Sequence, residues 1–241
     1  MLNVNTTKTT PSLGCKMCKQ KYSVLFLGKD SDEYVEKAIK FCELNFTDIT
    51  VYLGKWGDPL PEDIATWEGE YIISYLSRWI VPEYLLRRAK IASINFHPAS
   101  PDYPGIGCTN FALYEEAKEY GVTCHHMVPR VDTGEIIAVK RFPVFASDNV
   151  ATLLTRTYDY QLVLFYDIMN LIIQGKTLPV SEEQWTRKPF TRKEFDKLGQ
   201  ITHDMSKEEI MKRIRATTFR VWKPVIELHG FVFEFKAEND R

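Results

Sequence analysis

Two side chains able to do chemistry, the Asn95 amide and the His97 imidazole, lie two residues apart in the run Asn-Phe-His-Pro. Residues 91–97 form a short apolar run that is typical of a strand. Because side chains alternate along a strand, Asn95 and His97 are predicted to point to one side and Phe96 to the other, into packing. An amide and an imidazole are therefore expected side by side at the end of a strand.

A carboxylate, Asp132, follows a second apolar stretch at residues 122–128. It lies in a turn whose Gly134 allows the backbone to bend sharply before the next strand. We predict that this carboxylate reaches the imidazole of His97, orients the ring and favours its charged form. The three side chains would then act as one group.

Such a trio suits acyl transfer to a nucleophile that the substrate supplies. When an uncharged amine attacks a carbonyl carbon, an oxyanion develops, and the Asn95 amide and the His97 ring can stabilise it. No serine or cysteine nucleophile is needed, because no covalent enzyme intermediate forms. A competing interpretation is that Asn95 and His97 only satisfy turn backbone groups before Pro98, and an isolated Asn-x-His pattern leaves that interpretation open.

The motifs around the trio occur in a specific order. The stretch NFHPASPDYPGIGCTNFALYEEAKEYGVTCHHMVPRVDTGEII resembles the core of the folate-dependent formyltransferases, the group that contains glycinamide ribonucleotide transformylase and methionyl-tRNA formyltransferase. Within that group SYLSRWIVPEYLL, INFHP and the later IRATTF are most similar to the nucleotide-sugar N-formyltransferases. The resemblance covers residues 22–235 and is strongest over residues 72–142.

This resemblance implies a substrate pair and a set of site residues. The formyl donor would be 10-formyltetrahydrofolate, and the acceptor the amine of a nucleotide-linked amino-dideoxy sugar, best matched by dTDP-4-amino-4,6-dideoxyglucose, for O-antigen or other surface glycan synthesis. Catalysis falls to Asn95, His97 and Asp132. Folate binding falls to Arg78, Trp79, Ile80, Pro129 and Asp132, and substrate binding to Tyr103, Pro104, Gly105, Arg215 and Trp222. A homodimer paired through a C-terminal hairpin is also expected.

Three alternatives remain open at this point. A purine-pathway formyltransferase that acts on a glycinamide ribonucleotide-like amine would share the same core. A non-catalytic protein that binds folate or nucleotide sugar would carry the same motifs without turnover. The position of the amine on the sugar, 3 or 4, depends on pocket shape and does not follow from the motifs.

Composition is consistent with a cytoplasmic enzyme. The 31 basic and 32 acidic residues give a net charge of -1, which argues against a general nucleic-acid binder. No apolar run approaches the roughly 18 residues of a membrane span, and the N-terminus lacks a signal-peptide core. Neither nucleic acid nor membrane is expected as a partner. A nicotinamide cofactor is disfavoured, because the turn at residues 27–31 lacks G-x-G-x-x-G.

The five cysteines are an odd, scattered set that fits a reducing compartment. Cys15 and Cys18 form the one Cys-x-x-Cys pair, but no second pair completes four zinc ligands. His125 and His126 are adjacent on a predicted strand, so their side chains face opposite sides and cannot share one metal. We predict no metal site.

Alternating strand and helix patterns predict an α/β fold with a Rossmann-like, open, mostly parallel sheet. Strands are expected at 22–28, 48–53 and 71–76 ahead of the catalytic strand, and helices at 32–44, 82–90 and 149–174. We divide the chain into a flexible arm at 1–20, a formyltransferase catalytic domain at 21–178 and a C-terminal extension at 179–241.

The C-terminal extension combines cations with aromatic residues. Residues 185–193 alternate the two types, residues 206–216 predict a helix with Glu209 in the capping-box position, and residues 225–235 predict a closing β-hairpin. Such a surface could hold a pyrophosphate and stack a base. The other interpretation is an ordinary solvated surface with Trp185 and Trp222 as core anchors.

Overall fold

A six-stranded sheet with packed helices forms the larger part of the computed structural model, which describes residues 19–236. Its strands are β1 (Gln20–Lys29), β2 (Phe46–Gly54), β3 (Gly69–Tyr75), β4 (Ala89–His97), β5 (Glu119–His126) and β6 (Ile136–Pro143). The accompanying helices are α1 (Glu33–Asn45), a short 3-10 helix (Glu62–Thr66), α2 (Glu83–Leu86), α3 (Cys108–Tyr114) and α4 (Val150–Ile173). Each predicted strand of this region is present, and so are the predicted helices at 32–44 and 149–174.

The strands follow the order β2-β1-β3-β4-β5-β6. The strand pairs β1 with β2, β1 with β3 and β3 with β4 are parallel, whereas β5 and β6 run antiparallel to their neighbours. The chain passes from one side of β1 to the other, and open α/β sheets bind ligands where the strand order reverses in this way. The predicted open, mostly parallel sheet is confirmed.

Apolar residues cover both faces of the sheet. Val24 and Phe26 of β1 lie in the larger core cluster, whereas Leu25 and Leu27 lie in a smaller one. The two clusters lie on opposite faces of the sheet because successive side chains of a strand point in opposite directions. Helix α4 contributes to the larger cluster through Leu153, Phe165, Ile168 and Ile172.

Helix α4 also positions the strand that carries the amide and the imidazole. Its first turn is closed by a capping box in which the Asn149 side chain accepts from the Thr152 backbone N–H and the Thr152 side chain accepts in return. Within the helix, the buried Gln161 donates from Nε2 to the carbonyl of Phe96 at 2.6 Å. That carbonyl lies between Asn95 and His97, so the long helix fixes the end of β4.

The helix predicted at 82–90 is much shorter than expected. Pro82 is its N-cap in extended conformation, and α2 ends at Leu86. The carbonyl of Arg88 accepts from the Gly69 N–H, and Ala89 then pairs with Gly69 in the ladder between β3 and β4. The residues after Leu86, which helix propensity alone would have placed in α2, therefore lead into strand β4 of the sheet.

The described part of the C-terminal extension contains α5 (Arg192–Leu198), β7 (Gln200–Ile201), α6 (Lys207–Thr217), β8 (Val225–Leu228) and β9 (Phe231–Glu234), with the strands in one small sheet. Ser206 caps α6 as predicted, by accepting from the Glu209 N–H. The Glu209 carboxylate is directed elsewhere, because it accepts from Tyr114 Oη at 2.8 Å and Arg213 Nε at 2.6 Å. The interpretation of Glu209 as a capping-box partner is therefore wrong.

The predicted hairpin is present as β8 and β9, joined by His229 and Gly230, both with positive φ. It leaves Phe231, Val232 and Phe233 exposed on strand β9. Residues 1–18, with Cys15 and Cys18, lie outside the described residues, and the domain boundaries near 20 and 178 stay a prediction. Over residues 19–236 no helix is both long and apolar enough to cross a bilayer.

Candidate active site

Asn95 and His97 lie at the end of β4 and line one cavity. Phe96 belongs to the larger core, where its ring packs against Tyr75 at 5.8 Å and Phe165 at 5.2 Å between centroids. The alternation predicted from the strand period is therefore observed. Packing of Phe96 fixes the strand, and the two polar neighbours are held toward the cavity.

Asp132 approaches the same point from the loop between β5 and β6. Its backbone has φ 47, in the left-handed region that Asp tolerates better than most residues, and its side chain is 5% exposed. Oδ2 lies 3.4 Å from Nδ1 of His97 and accepts from the Gly105 N–H at 2.8 Å. The carboxylate therefore orients the imidazole and also holds the loop at Gly105.

Burial raises the pKa of Asp132, but its neighbours more than offset that effect. The charge of His97 is the largest of these influences, and together with the nearby His125 ring and the Gly105 N–H it lowers the pKa of Asp132 to about 2. The carboxylate is therefore ionised at neutral pH, as a group that supports an imidazolium must be.

The second nitrogen of His97 also faces an acceptor. Nε2 lies 3.1 Å from the Tyr103 carbonyl oxygen, while Nδ1 faces Asp132. A proton on either nitrogen therefore has a partner, and a ring that carries both protons satisfies both acceptors. His97 is held in a geometry suited to taking up and passing on a proton.

His125 is a polar residue of the site that the sequence did not reveal as functional. It is the direct cross-strand partner of Asn95, and its Nε2 lies 3.1 Å from Asn95 Nδ2 and 3.4 Å from Asp132 Oδ1. Its side chain is 3% exposed. The adjacent pair His125 and His126 was a signal, but only the register of β5 on β4 tells which ring faces the amide.

A segment of the C-terminal extension covers the two histidines. We call residues 179–190 the strap. Its Trp185 donates from Nε1 to the Gly134 carbonyl at 2.8 Å, and the indole ring meets His97 at 5.8 Å and His125 at 5.1 Å, edge to face. Trp185 is therefore half-buried against the site, a placement that neither interpretation of the extension anticipated.

The strap also pairs with the loop at residues 101–107. Phe190 donates to the Pro104 carbonyl at 2.9 Å and accepts from the Ile106 N–H at 3.1 Å. Gly105 has φ 92, and a Cβ there would lie 2.4 Å from the Phe190 carbonyl, so glycine is required. Of the three loop residues predicted to bind substrate, Gly105 lines the cavity, whereas Tyr103 packs its ring in the core and Pro104 bonds the strap.

The cavity that receives Asn95, His97 and Asp132 has a volume of about 1130 Å³. The segment predicted to bind folate lines it through Arg78, Trp79 and Ile80, and the facing loop through Val128, Arg130, Val131 and Asp132. Pro129 is exposed and does not line it. Trp79 also packs against the smaller core cluster.

Exposed aromatic residues surround a cation in another part of the same cavity. The Arg192 guanidinium lies 5.2 Å from the Trp56 ring centre, 5.6 Å from that of Phe195 and 5.7 Å from that of Trp222. We call these four residues the aromatic cluster. Trp56 is 67% and Trp222 is 52% exposed, so Trp222 is not a core anchor.

Arg215, predicted to bind substrate, is directed away from this cavity. Its Nε donates to the Asp148 carbonyl at 2.8 Å and its Nη2 to the Phe145 carbonyl at 3.2 Å, just ahead of α4. These contacts attach α6 to the catalytic part of the chain. Arg192 is the arginine that faces the cavity beside Trp222, and its position in the run at 185–193 was the available signal.

The thiols near the site are poor nucleophiles. Cys124 is buried in the core, and burial raises its pKa well above the usual value. Burial likewise raises the pKa of Cys108. Across residues 19–236 no group of three or more His, Cys, Asp or Glu side chains is arranged to hold a metal ion.

Comparison with known proteins agrees with this geometry. Residues 59–167 match the family model described as formyl transferase. Methionyl-tRNA formyltransferase of Enterococcus faecalis is 26% identical over 145 residues, which are 59% of this chain and 46% of the relative. The chain thus spans less than half the length of the curated relatives it matches.

Solved structures extend the likeness over most of the chain. A sugar N-formyltransferase from a Shewanella species has a TM-score of 0.71 at 16% identity and covers 89% of this chain and 97% of its own. The N-formyltransferase of Helicobacter canadensis, solved with folinic acid and dTDP-3-aminofucose, has a TM-score of 0.68 at 19% identity and covers 86% and 84%. Residues 59–167 are therefore similar to the formyl transferase family, and 89% of the chain has the fold of a solved sugar N-formyltransferase.

Proposed function

We propose that the protein transfers a formyl group from 10-formyltetrahydrofolate to the amine of a nucleotide-linked amino sugar. The observation that carries this proposal is the position of Asn95, His97 and Asp132 in one cavity that also contains the aromatic cluster. A cavity of about 1130 Å³ has room for two ligands to meet at the trio.

The chemistry of the trio follows from its donors. As the amine attacks the formyl carbon, negative charge develops on the formyl oxygen, the Asn95 amide donates a hydrogen bond to it, and the His97 ring adds its positive charge once protonated. His97 is placed to take the proton that the new nitrogen loses and to pass it to the folate nitrogen, whose bond to the formyl carbon breaks. The ionised Asp132, 3.4 Å from Nδ1, stabilises the ring while it is charged.

The lining residues fit a folate. A pterin ring is flat, with donors and acceptors along its edge, and apolar side chains such as Leu76, Val81 and Met127 line the cavity near the proposed folate segment. Residues 76–80 and 128–132 are loops outside the strand ladders, and before the second loop the ladder ends at Met127, whose N–H donates to the Ser93 carbonyl of β4 at 2.8 Å. When bound, 10-formyltetrahydrofolate would supply the activated formyl carbon.

The aromatic cluster fits the nucleotide. A base can stack on the exposed Trp56 or Trp222, and Arg192 can bind phosphate oxygens through the edge of its guanidinium. We take dTDP-4-amino-4,6-dideoxyglucose as the best-matched acceptor, with the 3-amino isomer as its nearest competitor, since a related fold was solved with dTDP-3-aminofucose.

The test is mass spectrometry after incubation with 10-formyltetrahydrofolate and a panel of acceptors. The panel contains dTDP- and UDP-linked 3- and 4-amino sugars, glycinamide ribonucleotide and methionyl-tRNA. We expect a mass gain of one formyl group on a dTDP-amino sugar only. Formylation of glycinamide ribonucleotide or methionyl-tRNA alone, or binding of both ligands without product, would replace this function with one of its alternatives.

Three further parts of the proposal concern context. The formylated sugar would enter O-antigen or other surface glycan synthesis, and the cytoplasm, where nucleotide sugars and reduced folates are found, is the expected location. We also propose a homodimer that pairs through the hairpin, supported by the exposed Phe231, Val232 and Phe233 on its edge strand. Light scattering of Phe233→Glu should give a monomer if this surface pairs, and an unchanged mass would exclude it.

A further inference from the structure

Asn95 and His125 lie directly opposite each other on β4 and β5, and their side chains are in contact. The mechanism described above assigns no role to this contact. Asn95 Nδ2 lies 3.1 Å from His125 Nε2. The other ring nitrogen, Nδ1, lies 2.9 Å from the His126 carbonyl oxygen. A carbonyl only accepts, so Nδ1 must carry a hydrogen to bond it. In the neutral ring Nε2 is then left as an acceptor, the partner that the Asn95 N–H requires.

We propose that His125 is a positioning residue that sets the direction of the Asn95 amide. An amide side chain presents two N–H groups on one end and an oxygen on the other. With one N–H held by His125 Nε2, the nitrogen end stays at the cavity and the second N–H is free for the formyl oxygen. If the Asn95 amide rotated by half a turn, its oxygen would face the developing negative charge and raise the activation barrier of formyl transfer.

The surroundings of His125 keep the ring in place. Trp185 packs edge to face on it with centroids 5.1 Å apart, and the ring is 3% exposed. The titratable side chain that contacts it is Asp132, whose Oδ1 is 3.4 Å from Nε2 and whose Oδ2 is 3.4 Å from His97 Nδ1, whereas the neighbouring His126 ring faces the other side of β5. A proton on Nε2 would turn that nitrogen toward Asp132 and release the Asn95 amide. The same ring therefore holds the donor only while it is neutral.

This inference rests on the proposed function, and a double-mutant cycle tests it. Asn95→Ala, His125→Ala and the double variant are compared at saturating substrate. We expect His125→Ala to lower kcat by about 10- to 100-fold with little change in KM for folate, because a misplaced donor affects the transition state. In the Asn95→Ala background the second substitution should cost almost nothing further. Losses that multiply would overturn the proposal.

Two comparisons separate positioning from structure. His125→Gln retains a side-chain oxygen that can accept from Asn95 and should recover part of kcat. The matched control is His126→Ala on the next residue of β5: it removes the ring that faces the other side and retains the backbone carbonyl that His125 bonds. It should leave turnover within about twofold. Equal loss in His126→Ala, or no difference between His125→Gln and His125→Ala, would count against a positioning role.

A measurement that does not depend on catalysis separates a failure of this inference from a failure of the proposed function. Long-range proton–nitrogen spectra of the wild-type chain should give His125 as the Nδ1–H tautomer, with an Nε2 resonance that shifts in Asn95→Ala. An Nε2–H tautomer would overturn the proposal whether or not the chain turns over. If the tautomer is as expected and no acceptor is formylated, the proposed function fails while the positioning of Asn95 stands.

Discussion

At the scale of single residues, Asp132 joins three parts of the site. It lies 3.4 Å from a nitrogen of His97 and from one of His125, and it binds the Gly105 N–H at 2.8 Å. One buried charge thus orients the His97 ring and one loop and lies beside the His125 ring. Loss of that charge is expected to disturb all three contacts together, which makes substitutions there hard to interpret without a stability measurement.

Asn95 and His97 allow a cleaner test of the chemistry. Asn95→Ala and His97→Ala should each lower kcat by about 10²-fold or more, because the first removes a donor to the developing oxyanion and the second the ring that transfers the proton. Circular dichroism and thermal unfolding check that the variants fold. Wild-type turnover in a folded His97→Ala variant would contradict the mechanism.

Asp132 should also link stability to pH. Its pKa of about 2 lies below the usual unfolded value of about 3.9, so the folded state gains stability above that value and loses it as pH falls toward 2. The shift corresponds to roughly 2–3 kcal/mol at neutral pH. Urea unfolding of the wild type and Asp132→Asn should differ most at pH 7 and progressively less toward pH 3. A difference that is constant over this range would refute the linkage.

Residue types and spacing were sufficient to bring Asn95, His97 and Asp132 together, because a strand period and a glycine turn are local properties. The partner of Asn95 was not predictable, since it depends on which residue of β5 lies opposite in the ladder. Arg215 was misplaced for a similar reason. The position of Arg215 in α6 does not show which side of that helix contacts the loop before α4. Its guanidinium donates to two backbone carbonyls of that loop.

At the scale of elements, the turn between β5 and β6 is unusually tight at Gly134. A Cβ at this position would lie 1.8 Å from the His126 carbonyl oxygen, the same atom that holds His125 Nδ1. The backbone there leaves no room for any side chain. The shape of the turn and the orientation of the imidazole are therefore coupled.

Gly134→Ala should reduce activity without contact to substrate. The added methyl must displace the His126 carbonyl, so we expect a fall in kcat of about tenfold or more together with a loss of about 1–3 kcal/mol in unfolding free energy. Gly199→Ala offers a control, since its φ is -75 and the nearest atom to its Cβ position is the Asp196 carbonyl oxygen at 3.5 Å. Normal kinetics in Gly134→Ala would mean that the turn relaxes independently of His125.

The elements themselves were mostly predictable. Strands β1 to β4, helices α1 and α4 and the closing hairpin follow from periodicity and from capping or turn residues that agree with it. The predicted length of helix α2 was too great, because the residues up to Lys90 favour a helix whereas Ala89 pairs with Gly69 in the sheet. Local signals cannot contain that information.

At the scale of the whole molecule, the cavity is built from distant parts of the chain. Trp56 follows β2, whereas Trp222 precedes β8, and Arg192 lies between their rings. Trp222→Ala should weaken binding of the nucleotide sugar by about 5- to 150-fold, the equivalent of about 1–3 kcal/mol for one stacked base, and change folate binding little. Calorimetry measures both, and Val221→Ala, an exposed neighbour, is the control. Unchanged nucleotide affinity would remove Trp222 from the site.

The strap is hydrogen-bonded to the loop at residues 101–107 and to the turn at Gly134. The Phe190 N–H of the strap donates to the Pro104 carbonyl, and the Ile106 N–H of the loop donates to the Phe190 carbonyl. Trp185 of the strap donates from Nε1 to the Gly134 carbonyl. Because one opening breaks these bonds together, hydrogen exchange of the Ile106 and Phe190 amides should follow a single rate, faster than that of Ile94 in β4. Both should slow together when ligands bind. Independent rates would show that loop and strap fluctuate separately. Matched rates would mean that the residues over the histidines open as one gate.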